Sequence, residues 1–251
     1  MSTTRGTVST QASNKRVRVF LGGELIVDTD NALYVWENPS YPQYYIPIGA
    51  VADGVLHPSR KGAHSPSRGN ATSFHVRAGH REAPDAAWSY PDSPIEELRG
   101  MVRFDFDAMD AWFEEDEEIF VHPRSPQTRI QILPSSRHVI VTVDDIVIAD
   151  THRPTFLHET GLIRRTYVNK LDVRMDLLTP TDTTSRCPYK GTARYWTLDT
   201  PIGQHVDVAW SYPAPFRESA PIAGLIAFFD ERTDITVDGK RAERPTSARV
   251  R

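Results

Sequence analysis

The chain is written twice. Shifted by 122 residues, the sequence lies over itself without a gap from Val17 to Pro94. RVRVFLGGELIVDT, ending at Thr29, falls on HVIVTVDDIVIADT, ending at Thr151. Glu37 falls on Glu159, Tyr45 on Tyr167, SPSRGNA (65–71) on CPYKGTA (187–193), and AWSYP (87–91) on AWSYP (209–213). After a two-residue insertion GMVRF (100–104) falls on GLIAF (224–228), and Met109-Asp110 on Thr233-Asp234. A gapless run carrying a five-residue identity is a tandem duplication, so both halves must reach the same fold. With 251 residues, each half has the size of a small domain, about 100–150 residues.

Local patterning says what each half is made of. Val17–Leu21 and Val139–Val143 are β-branched or apolar runs, each followed by a tight-turn signal, Gly22-Gly23 or Asp144-Asp145, and a second apolar run. That is a hairpin opening each copy. Further strand-like runs are Thr72–Arg77, Gly100–Phe106, Ala193–Leu198 and Leu225–Phe229. The 19 prolines leave little room for long helices, and the best helical stretches are short, Ile48–Leu56 and Lys170–Leu178. Each copy therefore reads as a small, mainly β domain.

Composition excludes several classes. Twenty-nine Lys+Arg against 33 Asp+Glu give a net charge of -4, so no nucleic-acid partner is expected. No window approaches the roughly 20 apolar residues of a membrane helix, and no membrane partner is expected. Residues 1–14 read as a polar leader without the apolar core of a signal peptide, and 241–251 as a basic solvated tail. The single cysteine, Cys187, excludes internal disulfides and suits a reducing cytoplasm. Between the copies, Asp105–Glu118 holds eight carboxylates punctuated by Phe106, Met109, Trp112 and Phe113, the pattern of a structured acidic surface. Residues 119–133 then read as a connector, with Arg124 and Arg129 placed to pair with that surface. The copies are bounded at 15–118 and 134–240.

The stretches DAMDAWFEEDEEIFVHPR, PSSRHV, ETGL, CPYKGTA and AWSYP, in this order, resemble a bacterial family catalogued as domain of unknown function 427. That family is sometimes labelled nucleotidyltransferase-like, and the likeness is to its two-copy actinobacterial form, covering residues 14 to 240. The resemblance implies a β-tent-like fold, two small antiparallel sheets meeting at an angle, as in methionine sulfoxide reductase B and the ligand-binding domain of cereblon. The expected fold is thus mainly β: two tandem copies of a small β-tent-like antiparallel domain. The four-cysteine zinc of some β-tents cannot be built with one cysteine. The family's two tyrosines, aliphatic residue and proline stand in copy one as Tyr44-Tyr45-Ile46-Pro47. Copy two reads Thr166-Tyr167-Val168-Asn169, so its pocket is expected to be altered, and copy one to be nearer the family form.

The side chains that recur in both copies are the candidate ligand-binding set. They are Glu37, Tyr45, Arg68, Trp88 and Tyr90, and Glu159, Tyr167, Lys190, Trp210 and Tyr212. Aromatic walls with a few fixed polar groups make a small-molecule site, and a cation beside them could hold a phosphate, carboxylate or carbonyl oxygen. The tryptophans could equally fill a core. Strand alternation places Trp and Tyr of Trp-Ser-Tyr on one face and Ser on the other. In CPYKG, Lys190 could favour the Cys187 thiolate, which makes Cys187 and Lys190 the candidate catalytic pair, although Ser65 stands at the matching position and a lone cysteine also packs as a small hydrophobe. His57 and His64 lie seven apart and His152 and His158 six apart, so no metal site and no cofactor are expected. No glycine-rich phosphate loop and no paired metal carboxylates support the nucleotidyltransferase label. Two readings follow: a binder or converter of a small polar metabolite, or a non-catalytic interaction module using the acidic surface at 105–118. Oligomeric state is left open.

Overall fold

A computed structural model describes residues 8–249. The chain divides into two compact units, Met1–Ser125 and Pro126–Arg251, each built of one seven-stranded and one four-stranded antiparallel sheet. In the first unit the large sheet runs β1 (Ser9–Ala12), β4 (Leu33–Asn38), β5 (Tyr41–Pro47), β9 (Met101–Phe104), β8 (Arg81–Ser89), β7 (Gly69–Ala78), β6 (Leu56–Ser65). Its small sheet runs β11 (Glu117–Ile119), β10 (Ala111–Glu114), β2 (Val17–Leu21), β3 (Glu24–Thr29). In the second unit the large sheet runs β12 (Ile130–Pro134), β15 (Thr155–Glu159), β16 (Arg165–Val168), β20 (Ile226–Phe228), β19 (Gln204–Ser211), β18 (Gly191–Asp199), β17 (Leu178–Cys187). Its small sheet runs β14 (Ile146–Thr151), β13 (Val139–Val143), β21 (Asp234–Val237), β22 (Lys240–Arg241). The two units share one strand order. The duplicated, mainly β architecture read from the sequence is present.

Several boundaries differ from the sequence reading. Residues 119–133 are not one connector: Ile119 closes β11, and Ile130–Leu133 lie in β12, which pairs with β15 as Ser9–Ala12 pairs with β4. The repeat thus begins one strand earlier than the alignment from Val17, because an exposed edge strand carries little hydrophobic pattern. Part of the supposed leader is that edge strand, while residues 1–7 lie outside the described residues. At the other end Val17 pairs with Glu114 and Val139 with Val237, so β10 and β21 are offset by 123, not by the 124 that Met109-Asp110 over Thr233-Asp234 required. The helical stretches are only 3₁₀ turns, Ile48–Ala50, Lys170–Asp172 and Met175–Leu177, cut short by the strands that follow. Among the described residues no helix is long and apolar enough to cross a membrane.

The main core of each unit lies between its two sheets. Alternation in Val17–Leu21 sends Val17, Val19 and Leu21 inward against Tyr44, Ile46, Val102 and Phe104, and Val139, Val141 and Val143 do the same against Val168, Ile226 and Phe228. The middle of each large sheet is buried on its other face as well. There Tyr45, Tyr90 and Leu98 form a second cluster in the first unit, and Tyr167, Trp210, Tyr212, Ile222 and Ala227 in the second. Leu98 and Ile222 belong to 3₁₀ turns, Glu96–Leu98 and Arg217–Ile222, laid across this outer face. Both repeated polar sets stand on it.

Candidate functional site

In the first unit the set closes on itself. The Tyr45 hydroxyl donates to Glu37 Oε1 at 2.8 Å, and Arg68 Nη1 pairs with the same oxygen at 2.5 Å. A residue that the alignment did not flag, Arg103, donates to Glu37 Oε2 at 2.7 Å. One carboxylate is therefore held between two guanidinium groups. The Arg68 guanidinium carbon lies 5.0 Å from the Tyr90 ring centre and that of Arg103 4.5 Å from Trp88. Register explains the last contact, because Arg103 on β9 is flanked by Tyr45 on β5 and Trp88 on β8. Burial, helped by the Glu37 charge, pushes the Tyr45 phenol well above its ordinary range, and burial raises Tyr90, so both stay protonated donors.

In the second unit the same positions surround an open cleft of about 180 Å³, lined by Glu159, Tyr167, Lys190, Trp210 and Tyr212 together with Arg165, Tyr195 and Phe229. The strand position of Arg103 is taken by Ala227, again flanked by the tyrosine and the tryptophan, Tyr167 and Trp210. A buried methyl group thus replaces a guanidinium at this strand position. The cation over the tryptophan comes instead from β16: Arg165 lies 5.4 Å from the Trp210 ring centre and is clamped by Asp230 and Glu231, each at 2.7 Å. Burial opposes the Arg165 charge, but hydrogen bonds to Glu231 and Asp230 outweigh it and hold its pKa above the ordinary value. Burial also raises Asp230, against the pull of Arg165. Lys190 Nζ is ion-paired with Glu159 Oε2, both side chains being largely buried, at 10% and 7% exposure. The repeated charge pair is thus internally matched and still part of a cleft wall. Burial pushes the Tyr167 and Tyr212 phenols far up, so neither can act as a base near neutral pH.

The family profile described as domain of unknown function (DUF427) matches residues 9–115 and again 131–239. The chain belongs to this family. No curated protein matches it. The two DUF427 segments coincide with the two sheet pairs, and the first begins at β1, in agreement with the extra edge strand.

Within this DUF427 pair the remaining candidates divide clearly. Cys187 is a free, partly buried thiol packed against the cluster of Tyr167, Trp210 and Tyr212, and the Lys190 ammonium is committed to Glu159 rather than to the thiol. Gly191, with φ +95, ends the CPYKG turn where an added Cβ would lie 3.3 Å from the Ala214 carbonyl oxygen. The motif shapes the turn that presents Lys190. Trp88 and Tyr90 share one face and Ser89 the other, as do Trp210, Tyr212 and Ser211. The acidic stretch is largely engaged in place: Arg81 pairs with Asp110, Lys15 with Glu114, Arg18 with Asp116 and Arg124 with Glu117. Glu114 is buried against Tyr44 in the core. The Arg129 backbone N–H donates to Thr160 Oγ1 within the second unit. The basic tail is not wholly solvated either, since Arg241 and Arg244 pair with Asp234, and Ile163 N–H donates to the Ala248 carbonyl, placing Ala248 at the cleft rim. Val250 and Arg251 lie outside the described residues. Sequence comparison of the halves missed Arg103, Arg165, Tyr195 and Phe229 because it could find only what recurs in both.

Proposed function

We propose that the second unit binds a small polar metabolite in the Trp210 cleft. The observation that carries this is the cleft lining, where Tyr167, Trp210 and Phe229 stand beside Glu159, Arg165 and Lys190, with the small Ala227 at the strand position that holds Arg103 in the first unit. Pockets for drug-sized ligands measure about 300–1,000 Å³. A cleft of about 180 Å³ suits one ring with short polar substituents. Arg165 and Lys190 are outnumbered by Glu159, Asp230 and Glu231, so the charges favour a neutral or cationic ligand over an anion. Aromatic faces at Trp210 and Phe229 favour stacking or cation–π contact. Neither Cys187 nor Lys190 has a chemical step in this reading; Lys190 lines the wall and Cys187 packs against the aromatic cluster. The acidic 105–118 surface is less favoured as an interaction module, because four of its eight carboxylates, Asp110, Glu114, Asp116 and Glu117, are matched by cations of the same unit.

The test is titration of the full chain with neutral and cationic single-ring compounds, read by tryptophan fluorescence and thermal shift. Saturable binding is expected, abolished by Ala227→Arg and retained in Arg68→Ala. Binding that survives Ala227→Arg unchanged would place the ligand elsewhere.

A further inference from the structure

The β13–β14 hairpin carries a second set of side chains that the cleft does not use. Val139 pairs with Thr151, so His138 and His152, one step beyond, face each other across the hairpin. Asp150 precedes His152 by two residues and shares its face. The two imidazoles stack with ring centres 4.0 Å apart and planes 12° from parallel. His138 Nε2 lies 2.7 Å from Asp150 Oδ1, and one potential ligand atom from each of the three residues falls within 4.8 Å of the others. At the matching positions the first unit has Arg16, Asp28 and Asp30, where Arg16 grips Asp28 with both Nε and Nη2. One scaffold thus holds an arginine–carboxylate pair in one copy and two imidazoles with a carboxylate in the other.

We propose that His138, Asp150 and His152 form a binding site for a divalent transition-metal ion, with zinc as the best match. Two imidazole nitrogens and one carboxylate oxygen are ligands that zinc takes at about 2.0–2.2 Å, with water completing the tetrahedron. Parallel stacked rings cannot both aim a nitrogen at one ion, so one imidazole must turn about its side-chain torsions. His152 is exposed while His138 is 34% exposed, so His152 is the ring with room to turn. The flanking cations are already matched, Arg137 by Asp238 and Arg153 by Asp172. The His138 N–H also donates to Asp238 Oδ1 at 3.0 Å, which fixes the start of β13. This surface site uses no cysteine and is independent of the Trp210 cleft.

Isothermal titration of the full chain with zinc sulfate, in a non-chelating buffer, tests it. One equivalent is expected to bind, with His138→Ala, His152→Ala and Asp150→Asn each weakening it by roughly tenfold or more. The double variant His138→Arg with His152→Asp rebuilds the first unit's arrangement. It is expected to keep the parent's thermal midpoint without metal and to lose one zinc equivalent. Zinc should raise the midpoint of the parent and not of this variant. Absence of saturable binding to the parent, or a double variant that keeps every equivalent, would overturn the proposal.

Discussion

Glu37 pairs with two arginines at once. Burial opposes the Arg68 charge, yet the Glu37 carboxylate holds its pKa above the ordinary value. Arg103 Nε is buried without a hydrogen-bond partner, so this guanidinium depends on its one contact to Glu37 and on the Trp88 face. With Glu37, Arg68 and Arg103 only 14–18% exposed, Glu37→Ala leaves two like charges desolvated side by side. Breaking such a pair typically costs about 3–5 kcal/mol. Glu37→Ala should therefore lower the urea midpoint of the first unit strongly, and Glu159→Ala, which strands one lysine, should cost less. The opposite sign is expected at Thr166. Its hydroxyl is buried without a partner where the first unit has Tyr44, whose hydroxyl meets Glu114. An unmatched buried hydroxyl costs about 1–3 kcal/mol, so Thr166→Val should raise stability by about 1 kcal/mol in the same urea assay.

Hairpin tips show one job done by two chemistries. In the first unit the β2–β3 turn meets the β7–β8 turn backbone to backbone: a Cβ on Gly22 would lie 2.2 Å from the Ala78 carbonyl oxygen, at φ +62. In the second unit the β13–β14 turn reaches the β18–β19 turn with a side chain, Asp144, which accepts from Thr200 Oγ1 at 2.8 Å and meets His205 Nε2 at 2.6 Å. Both contacts tie the small sheet to the large one. Gly22→Ala adds a backbone clash to an unfavourable φ and should destabilise the first unit by about 2 kcal/mol or more. Thermal unfolding of the variant beside the parent checks this; an unchanged midpoint would mean the turns separate without loss.

Across the whole molecule, ion pairs at the ends of hairpins set the response to acid. Arg16 holds Asp28 below the usual carboxylate range, as do His205 for Asp144, Arg153 for Asp172, Arg241 for Asp234 and Arg137 for Asp238. A carboxyl depressed in the folded state contributes stability that is present above its unfolded pKa, about 3.9 for Asp, and lost as pH falls through the lower folded value. Asp230 runs the other way, since burial raises it and the folded chain takes up that proton first. With Asp176, held down by Arg174, five of the six depressed aspartates among the described residues belong to the second unit, so its midpoint should stay level above about pH 5 and fall below about pH 4 more steeply than that of the first. Calorimetry between pH 3 and 7 (the range that spans these values) measures it. Added salt should flatten the difference, because exposed pairs are screened.

The sequence by itself determined the duplication, the hairpin that opens each copy, and the face on which each Trp-Ser-Tyr side chain lies. All of these are local: alternation and turn chemistry act between neighbours along the chain, and a copied pattern is visible wherever it occurs. It also named Glu37, Tyr45, Arg68 and their counterparts, because a carboxylate and a cation that recur together must be placed together. Only the tertiary structure decided what stands between them. Arg103 and Ala227 sit between tyrosine and tryptophan through the order β5-β9-β8 and its repeat, in which the tyrosine strand pairs across more than fifty residues, a contact no local signal carries. Arg165 reaches the same tryptophan from another strand, so the two copies balance charge with different positions, and comparing them position by position could not find it. His138 and His152 are fourteen apart along the chain yet opposed across one hairpin, which is why spacing read along the sequence passed over them. Register, rather than composition, brought these groups together.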